Sequence, residues 1–222
     1  MAYKAPRGTR DVLPDESWKW QRVESIFRAT ADRFGYREIR LPVFEETELF
    51  ARGIGDATDI VRKEMYSFTD RKGRSLTLRP EGTAGTVRSF IEHNMGRGSR
   101  LTKLYYFCPM FRYERPQKGR QRQFHQIGVE VIGSAEPLAD AETLQMLDQY
   151  LDELGITERD LLISSVGDDS CRPRFKEQLR SWLEPRLQSL CQDCQRRYEE
   201  NPLRVFDCKV EHDRQILSAA PT

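Results

Sequence analysis

Apolar residues recur three or four positions apart over residues 15–34, at Trp20, Val23, Phe27, Ala31 and Phe34, which predicts a helix with one buried face. Gly35 is placed to end it. Residues 36–41 form a short strand pattern closed by Pro42, which lacks the N–H a ladder needs and so belongs at a strand end or edge. Alternation resumes over residues 65–69 and 75–79, and Asp70-Arg-Lys-Gly73 between them supplies turn chemistry, so a hairpin is predicted. Pro80 suits the first turn of a second helix running through Ala84, Val87 and Phe90 to about His93, while Gly82 allows a close approach to its backbone. Residues 101–108, 110–114 and 122–132 are predicted as three further strands, the last two joined by a basic loop.

After Gly133 the character changes. Residues 138–154 have helical periodicity, residues 161–166 resemble a strand, and residues 174–197 form a charged amphipathic stretch that Pro185 kinks or splits. Residues 201–222 have no strong period. Antiparallel strands flanked by helices, without regular strand–helix–strand alternation, indicate an α+β fold.

The chain has 222 residues, 38% hydrophobic and 32% charged, enough for one or two domains and a sizeable core. No apolar run approaches the roughly 20 residues of a membrane span, and the first residues lack the apolar core of a secretory signal, so a cytoplasmic location is expected. Lys and Arg number 36 against 35 Asp and Glu, which gives no global attraction to nucleic acid. Residues 112–123 are locally different: five cations and one carboxylate, suited to phosphates or to a solvated loop. Five cysteines, an odd count, argue for reduced thiols over a disulfide framework. Cys191, Cys194 and Cys208, with His212 as a fourth ligand, have a spacing that could hold zinc, although one close pair falls short of a four-cysteine ribbon.

No Walker loop, dinucleotide glycine pattern or kinase signature occurs, so phosphates must be held another way. The candidate is the strand–loop–strand of residues 110–133. Period-two geometry puts Arg112 and Glu114 on one face, and Gln126, Gly128 and Glu130 on one face of the partner strand. An ATP site needs a guanidinium for the α-phosphate, further cations for the tail, and an aromatic plane or acceptor for adenine; Arg112, Arg120, Phe124 and Glu114 supply these types. An ordinary Arg112–Glu114 ion pair and a core role for Phe124 are the competing readings.

Phe111-Arg-Tyr-Glu114, the basic loop and Arg120-Gln-Arg-Gln-Phe124 resemble motif 2 of class II aminoacyl-tRNA synthetases, and the helix at 15–34 with the strand ending at Pro42 is similar to motif 1, the dimerisation element of that class. Arg7-Gly-Thr-Arg-Asp-Val-Leu-Pro14, Leu78-Arg-Pro-Glu-Gly-Thr-Ala-Gly85 and residues 112–131 together resemble the histidine-specific family, the histidyl-tRNA synthetases. The resemblance implies that Arg112 bridges the α-phosphate and the substrate carboxylate as the catalytic residue, and that Arg120 reaches the β- and γ-phosphates. It also implies that Glu114 and Phe124 hold adenine, that Glu81, Thr83 and Gln126 take the histidine ammonium, and that Glu130 takes the imidazole N–H. Many class II enzymes carry an acidic residue four positions after the motif 2 Phe; here Gly128 stands there, leaving room for the imidazole. Glu81 and Thr83 are equally placed to cap a helix start. His125 alternates away from Gln126, and Tyr105, Tyr106 and Phe107 are expected in the core.

The resemblance therefore implies a class II synthetase-like catalytic core with motifs 1 and 2 at residues 1–166. Residues 167–222 would begin an insertion before a motif 3 that these residues do not include. The implied activity is a histidine-tRNA ligase using histidine, ATP and tRNA(His), with Mg²⁺ held chiefly by the triphosphate, no protein metal ligand assigned, and a homodimer formed through motif 1. Without motif 3 and an anticodon-binding domain, the 222 residues alone are expected to have little or no aminoacylation activity. The alternative is a non-catalytic regulatory subunit of ATP phosphoribosyltransferase in histidine biosynthesis, and a further one is a stand-alone class II-like ligase or nucleic-acid-binding module. Retention of all eight site residues favours the synthetase over the first; Glu130 and Gly128 count against the second.

Overall fold

A computed structural model of the chain describes residues 3–54, 64–98, 100–164 and 167–221. The chain divides into two compact units, Met1–Arg159 and Asp160–Thr222. In the first, the elements run α1 (Pro14–Arg33), β1 (Arg37–Glu38), β2 (Phe44–Glu46), α2 (Thr47–Ile54), β3 (Tyr66–Thr69), β4 (Ser75–Leu78), α3 (Thr83–Glu92), β5 (Thr102–Phe111), β6 (Gln123–Ile132) and α4 (Pro137–Leu154). They form two three-stranded sheets, ordered β1-β5-β6 and β2-β4-β3. Strands β1 and β5 pair in parallel, and β2–β4, β3–β4 and β5–β6 pair antiparallel.

Helix α1 starts on Pro14, preset for a first helical position, with Asp15 and Glu16 beside the positive end of its dipole. Its apolar face delivers Phe27 and Ala31 to a core shared with Tyr36, Tyr105, Met146 and Tyr150. Phe27 meets Tyr105 and Tyr150 edge-on at centroid distances of 5.4 and 5.2 Å, the geometry ring quadrupoles prefer. Gly35, at φ 75°, turns the chain from α1 into β1.

The hairpin forms as its alternation predicts. Asp70 closes the turn by accepting the N–H groups of Lys72 (2.8 Å) and Arg74 (2.9 Å), and Gly73 takes the left-handed conformation at φ 82°. Other expectations need correction. The strand expected over 36–41 shrinks to β1, because the carbonyls of Leu41 and Pro42 leave the ladder to accept hydrogen bonds from Arg79 at 2.7 and 3.0 Å. Pro80 precedes α3 instead of opening it, and its carbonyl accepts from Arg112 Nε at 2.8 Å.

The strands expected at 101–108 and 110–114 are one strand, β5, which runs through Pro109 and ends at Phe111. Pro109 is tolerated because its backbone faces away from β6. Tyr105 O accepts Ile39 N–H, Pro109 O accepts Arg79 Nε, and Phe111 N–H donates to Arg79 O, all on that other side, so no β5–β6 bond is lost. Strand β2 and helix α2 went unpredicted, since β2 is three residues long and mostly exposed.

The second unit is helical. Pro185 does split the amphipathic stretch: α5 (Arg172–Leu183) gives way to a 3₁₀ helix (Glu184–Ser189), then α6 (Gln192–Glu200). The stretch with no strong period holds a second 3₁₀ helix (Pro202–Asp207) and α7 (Glu211–Leu217). Leu179, Leu183, Leu190, Cys194, Val205, Cys208 and Leu217 form its core. Residues 161–164 are not in a strand, contrary to expectation; residues 165 and 166 of that expected strand lie outside the described residues. His212 is exposed, whereas Asp213 beside it is buried among the cysteines.

Candidate active site

The long β5–β6 ladder places Tyr106 directly opposite Gly128. A Cβ at Gly128 would lie 2.2 Å from Tyr106 Cζ, and one at Gly82 would lie 2.3 Å from the same atom. The phenol ring thus occupies space that two glycines leave open, which explains both glycines at once. Its hydroxyl reaches Glu130 Oε1 at 3.4 Å, and Thr83 Oγ1 donates to the same oxygen at 2.7 Å. Burial raises the Glu130 carboxyl above the usual range, with nearby Glu81 adding to the effect and the Thr83 hydrogen bond opposing it. Burial, reinforced by the Glu130 charge, also pushes the Tyr106 phenol up, so it stays a neutral donor.

Glu81 turns its carboxylate onto the backbone N–H groups of Thr83 and of Ala84 (3.0 Å), capping the start of α3. The capping role expected for Glu81 is therefore filled, while Thr83 is turned to Glu130. Gln126 lies on β6 opposite Cys108, two residues from Gly128 and hence on the same face. His125 points the other way, between Trp20 and Phe107 at centroid distances of 4.6 and 5.6 Å, and burial lowers its pKa.

The second cluster gathers at the loop between β5 and β6. Arg112 donates from Nε to Pro80 O, which fixes the guanidinium, and its plane stands over the Phe124 ring at 5.1 Å. The ion pair that forms is Arg120–Glu114, at 3.2 Å, instead of Arg112–Glu114. The chain leaves the ladder at Phe111 and bends so that Glu114 N–H returns to Arg112 O at 2.8 Å, which breaks the alternation that would have put those two side chains in register. Arg7, Tyr113, Glu114, Arg115, Pro116 and Arg122 line a 430 Å³ cleft here, while Glu81 and Thr83 border a 900 Å³ cleft with Leu49, Ala84 and Val87.

Three contributors escaped the sequence reading. Arg79 is buried, 4% exposed, and spans three backbone carbonyls: Pro109 at 2.8 Å, Leu41 and Pro42. Gly8, at φ 86°, offers its carbonyl to the N–H groups of Arg122 (2.7 Å) and Gln123 (3.2 Å), docking the N-terminal segment on the start of β6. Tyr106, expected as a core residue, is that and also a donor to Glu130. A charged residue beside Pro80 and a glycine between Arg7 and Thr9 were the available signals, but neither names its partner.

Comparisons with known proteins bear on this arrangement. The family model described as histidyl-tRNA synthetase matches residues 8–167. The histidine–tRNA ligase of Thermoanaerobacter pseudethanolicus is 53% identical over 221 residues, covering 100% of this chain and 53% of that protein. The chain thus spans about half the length of the curated relatives it matches. Among solved structures, apo histidyl-tRNA synthetase of S. aureus aligns with a TM-score of 0.74 at 39% identity, over 98% of this chain and 55% of that one. A Bacillus halodurans structure described as an ATP phosphoribosyltransferase regulatory subunit/histidyl-tRNA synthetase aligns with a TM-score of 0.63 at 20% identity, over 100% of this chain and 60% of that one, and shows the shared fold. Because the matched family model takes in every element of the site from Gly8 to Glu130, the chain belongs to the histidyl-tRNA synthetase family.

Proposed function

We propose that residues 1–166 carry the motif 1 and motif 2 part of the catalytic core of a histidine–tRNA ligase, and that residues 167–222 begin the insertion that follows. The observation that carries this reading is the half-buried Glu130 carboxylate, held by Thr83 and Tyr106 on the same face of β6 as Gly128. The room expected at Gly128 for an imidazole is taken by the Tyr106 ring, and it is the Glu130 carboxylate itself, beside that ring, that suits a substrate bringing an N–H. Thr83 and Tyr106 both reach Oε1; an apolar competitor would bring no donor for the other oxygen, at a cost of roughly 1–3 kcal/mol.

In the proposed reaction the histidine carboxylate attacks the α-phosphorus of ATP, forming the adenylate as pyrophosphate leaves. A ribose hydroxyl of the terminal adenosine of tRNA(His) then takes the acyl group and AMP leaves. Arg112, anchored through Nε and Pro80, keeps its terminal nitrogens for the oxygens on which charge grows. Arg120 exchanges Glu114 for the triphosphate tail, which frees the Glu114 carboxylate for the adenine amino group, and Phe124 offers its plane. Glu81, Thr83 and Gln126 take the histidine ammonium. Magnesium comes in with ATP as part of the substrate, held chiefly by the triphosphate.

Exposed Phe44 and Phe68, edge to face at 6.1 Å, together with Leu13 and Trp18, support a homodimer through the motif 1 region. Among the described residues no helix is long and apolar enough to cross a membrane, and we place the protein in the cytoplasm with its tRNA. Against the regulatory reading, all eight candidate site residues are present here.

The test uses the chain with its natural continuation. In ATP–pyrophosphate exchange, Arg112→Ala is expected to lower kcat about 10²- to 10³-fold, and Glu130→Ala to weaken histidine use about 10- to 100-fold. Calorimetric titration with a non-hydrolysable histidyl-adenylate analogue should show binding lost in both variants. Unchanged binding in both would refute the assignment.

A further inference from the structure

Cys191, Cys194, Cys208 and Asp213 come from three separate elements of the second unit and converge so that one ligand atom of each lies within 4.8 Å of all the others. Cys191 immediately precedes α6 and Cys194 lies in its first turn; Cys208 follows the second 3₁₀ helix; Asp213 lies in α7. Cys194, Cys208 and Asp213 are 0%, 7% and 1% exposed. Thiols alone could serve as small core residues. The carboxylate could not: burying a charge without compensation is costly, and the ion pairs of the described residues around it do not include Asp213.

Its hydrogen-bond partners are instead the cluster itself, the Cys191 N–H at 3.0 Å and the Cys208 thiol at 3.4 Å. The Cys191 and Cys208 sulfurs are 3.8 Å apart. Tetrahedral zinc with Zn–S bonds near 2.3 Å sets its sulfurs about 3.8 Å apart, so the Cys191 and Cys208 sulfurs already stand one tetrahedral edge apart.

We propose that these four residues bind one zinc ion in a closed, structural site. Two spacings, Cys-x2-Cys and Cys-x4-Asp, supply the four donors. Three of the four donors are buried and Cys191 half-buried, and four protein ligands would leave no coordination position for a reacting water. The Cys191 N–H, already on Asp213, would orient the carboxylate behind the metal. The ion would cross-link α6, the second 3₁₀ helix and α7, elements too short to be stable on their own.

The full chain, purified without chelator under reducing conditions, should contain about one zinc per molecule by mass spectrometry of the metals. Exchange into cobalt(II) should give thiolate-to-cobalt charge transfer and the intense visible bands of a tetrahedral site. Cys194→Ser and Asp213→Asn should lose most of the metal, and Cys171→Ser, outside the cluster, should keep all of it. Asp213→Cys should keep the zinc and intensify the cobalt charge transfer, which a purely structural aspartate would not do. A folded, reduced chain that holds no zinc and takes up no cobalt overturns the proposal. So does a Cys191–Cys208 disulfide in the isolated protein, or iron in place of zinc.

Discussion

Gly128→Ala tests the packing on which the proposed histidine slot rests. The new Cβ would sit 2.2 Å from Tyr106 Cζ and 2.3 Å from its hydroxyl oxygen, whereas carbon contacts settle at about 3.5–4.0 Å. The ring must therefore retreat by more than about 1 Å, and it is 1% exposed with the same edge already filling the space above Gly82. Overpacking of this kind costs roughly 1–3 kcal/mol, and loss of the Tyr106–Glu130 contact puts the expected value near the top, about 3 kcal/mol. Urea unfolding followed by tryptophan fluorescence measures it, in a Trp182→Phe background so that the signal reports Trp18 and Trp20 of α1. With a slope of roughly 1–3 kcal/mol per molar urea, the midpoint should fall by about 1–3 M. Tyr106→Ala alone should cost about 3–5 kcal/mol; combined with Gly128→Ala it should cost clearly less than the sum, because the clash disappears with the ring. Additivity within about 0.5 kcal/mol, or an unchanged Gly128→Ala midpoint, would refute the argument.

Arg79→Met is expected to destabilise the first unit by at least about 3 kcal/mol, since the carbonyls of Leu41, Pro42 and Pro109 lose a shared donor. The same urea titration reads it, and a wild-type midpoint would mean that relief of the buried charge offsets those bonds. Glu130 carries a pH signature because burial raises its pKa in the folded state. Folding then favours the protonated acid, so its contribution is full below the unfolded value of about 4.3 and is lost as pH rises through the higher folded value. Glu130→Gln, which keeps an acceptor for Thr83, should be more stable than wild type near neutral pH, with the gap closing towards about pH 4. Thermal melts across that range decide it; a gap that widens on acidification contradicts the sign.

Periodicity sufficed for α1, the hairpin, α4 and the break at Pro185, because each rests on contacts within one segment or on a turn whose residues adjoin in sequence. It failed where the deciding partner is distant. Pro109 seemed to divide a strand until Arg79 was seen on its carbonyl, and Leu41 and Pro42 left β1 for the same guanidinium. The three-residue β2 has too little alternation to register, yet β4 pairs with it. At the site, residue types named Arg112, Glu114, Arg120 and Phe124 as candidates for ATP, because two paired strands with a loop leave few ways to arrange them, while the role of Glu130 came from the resemblance. Tertiary structure alone decided that Arg120 pairs with Glu114, that Tyr106 fills the space of Gly82 and Gly128, and that Asp213 joins the cysteines where His212 was expected. A side chain's alternation tells which face it takes; which residue from another segment meets it there is set by packing, and packing is not periodic.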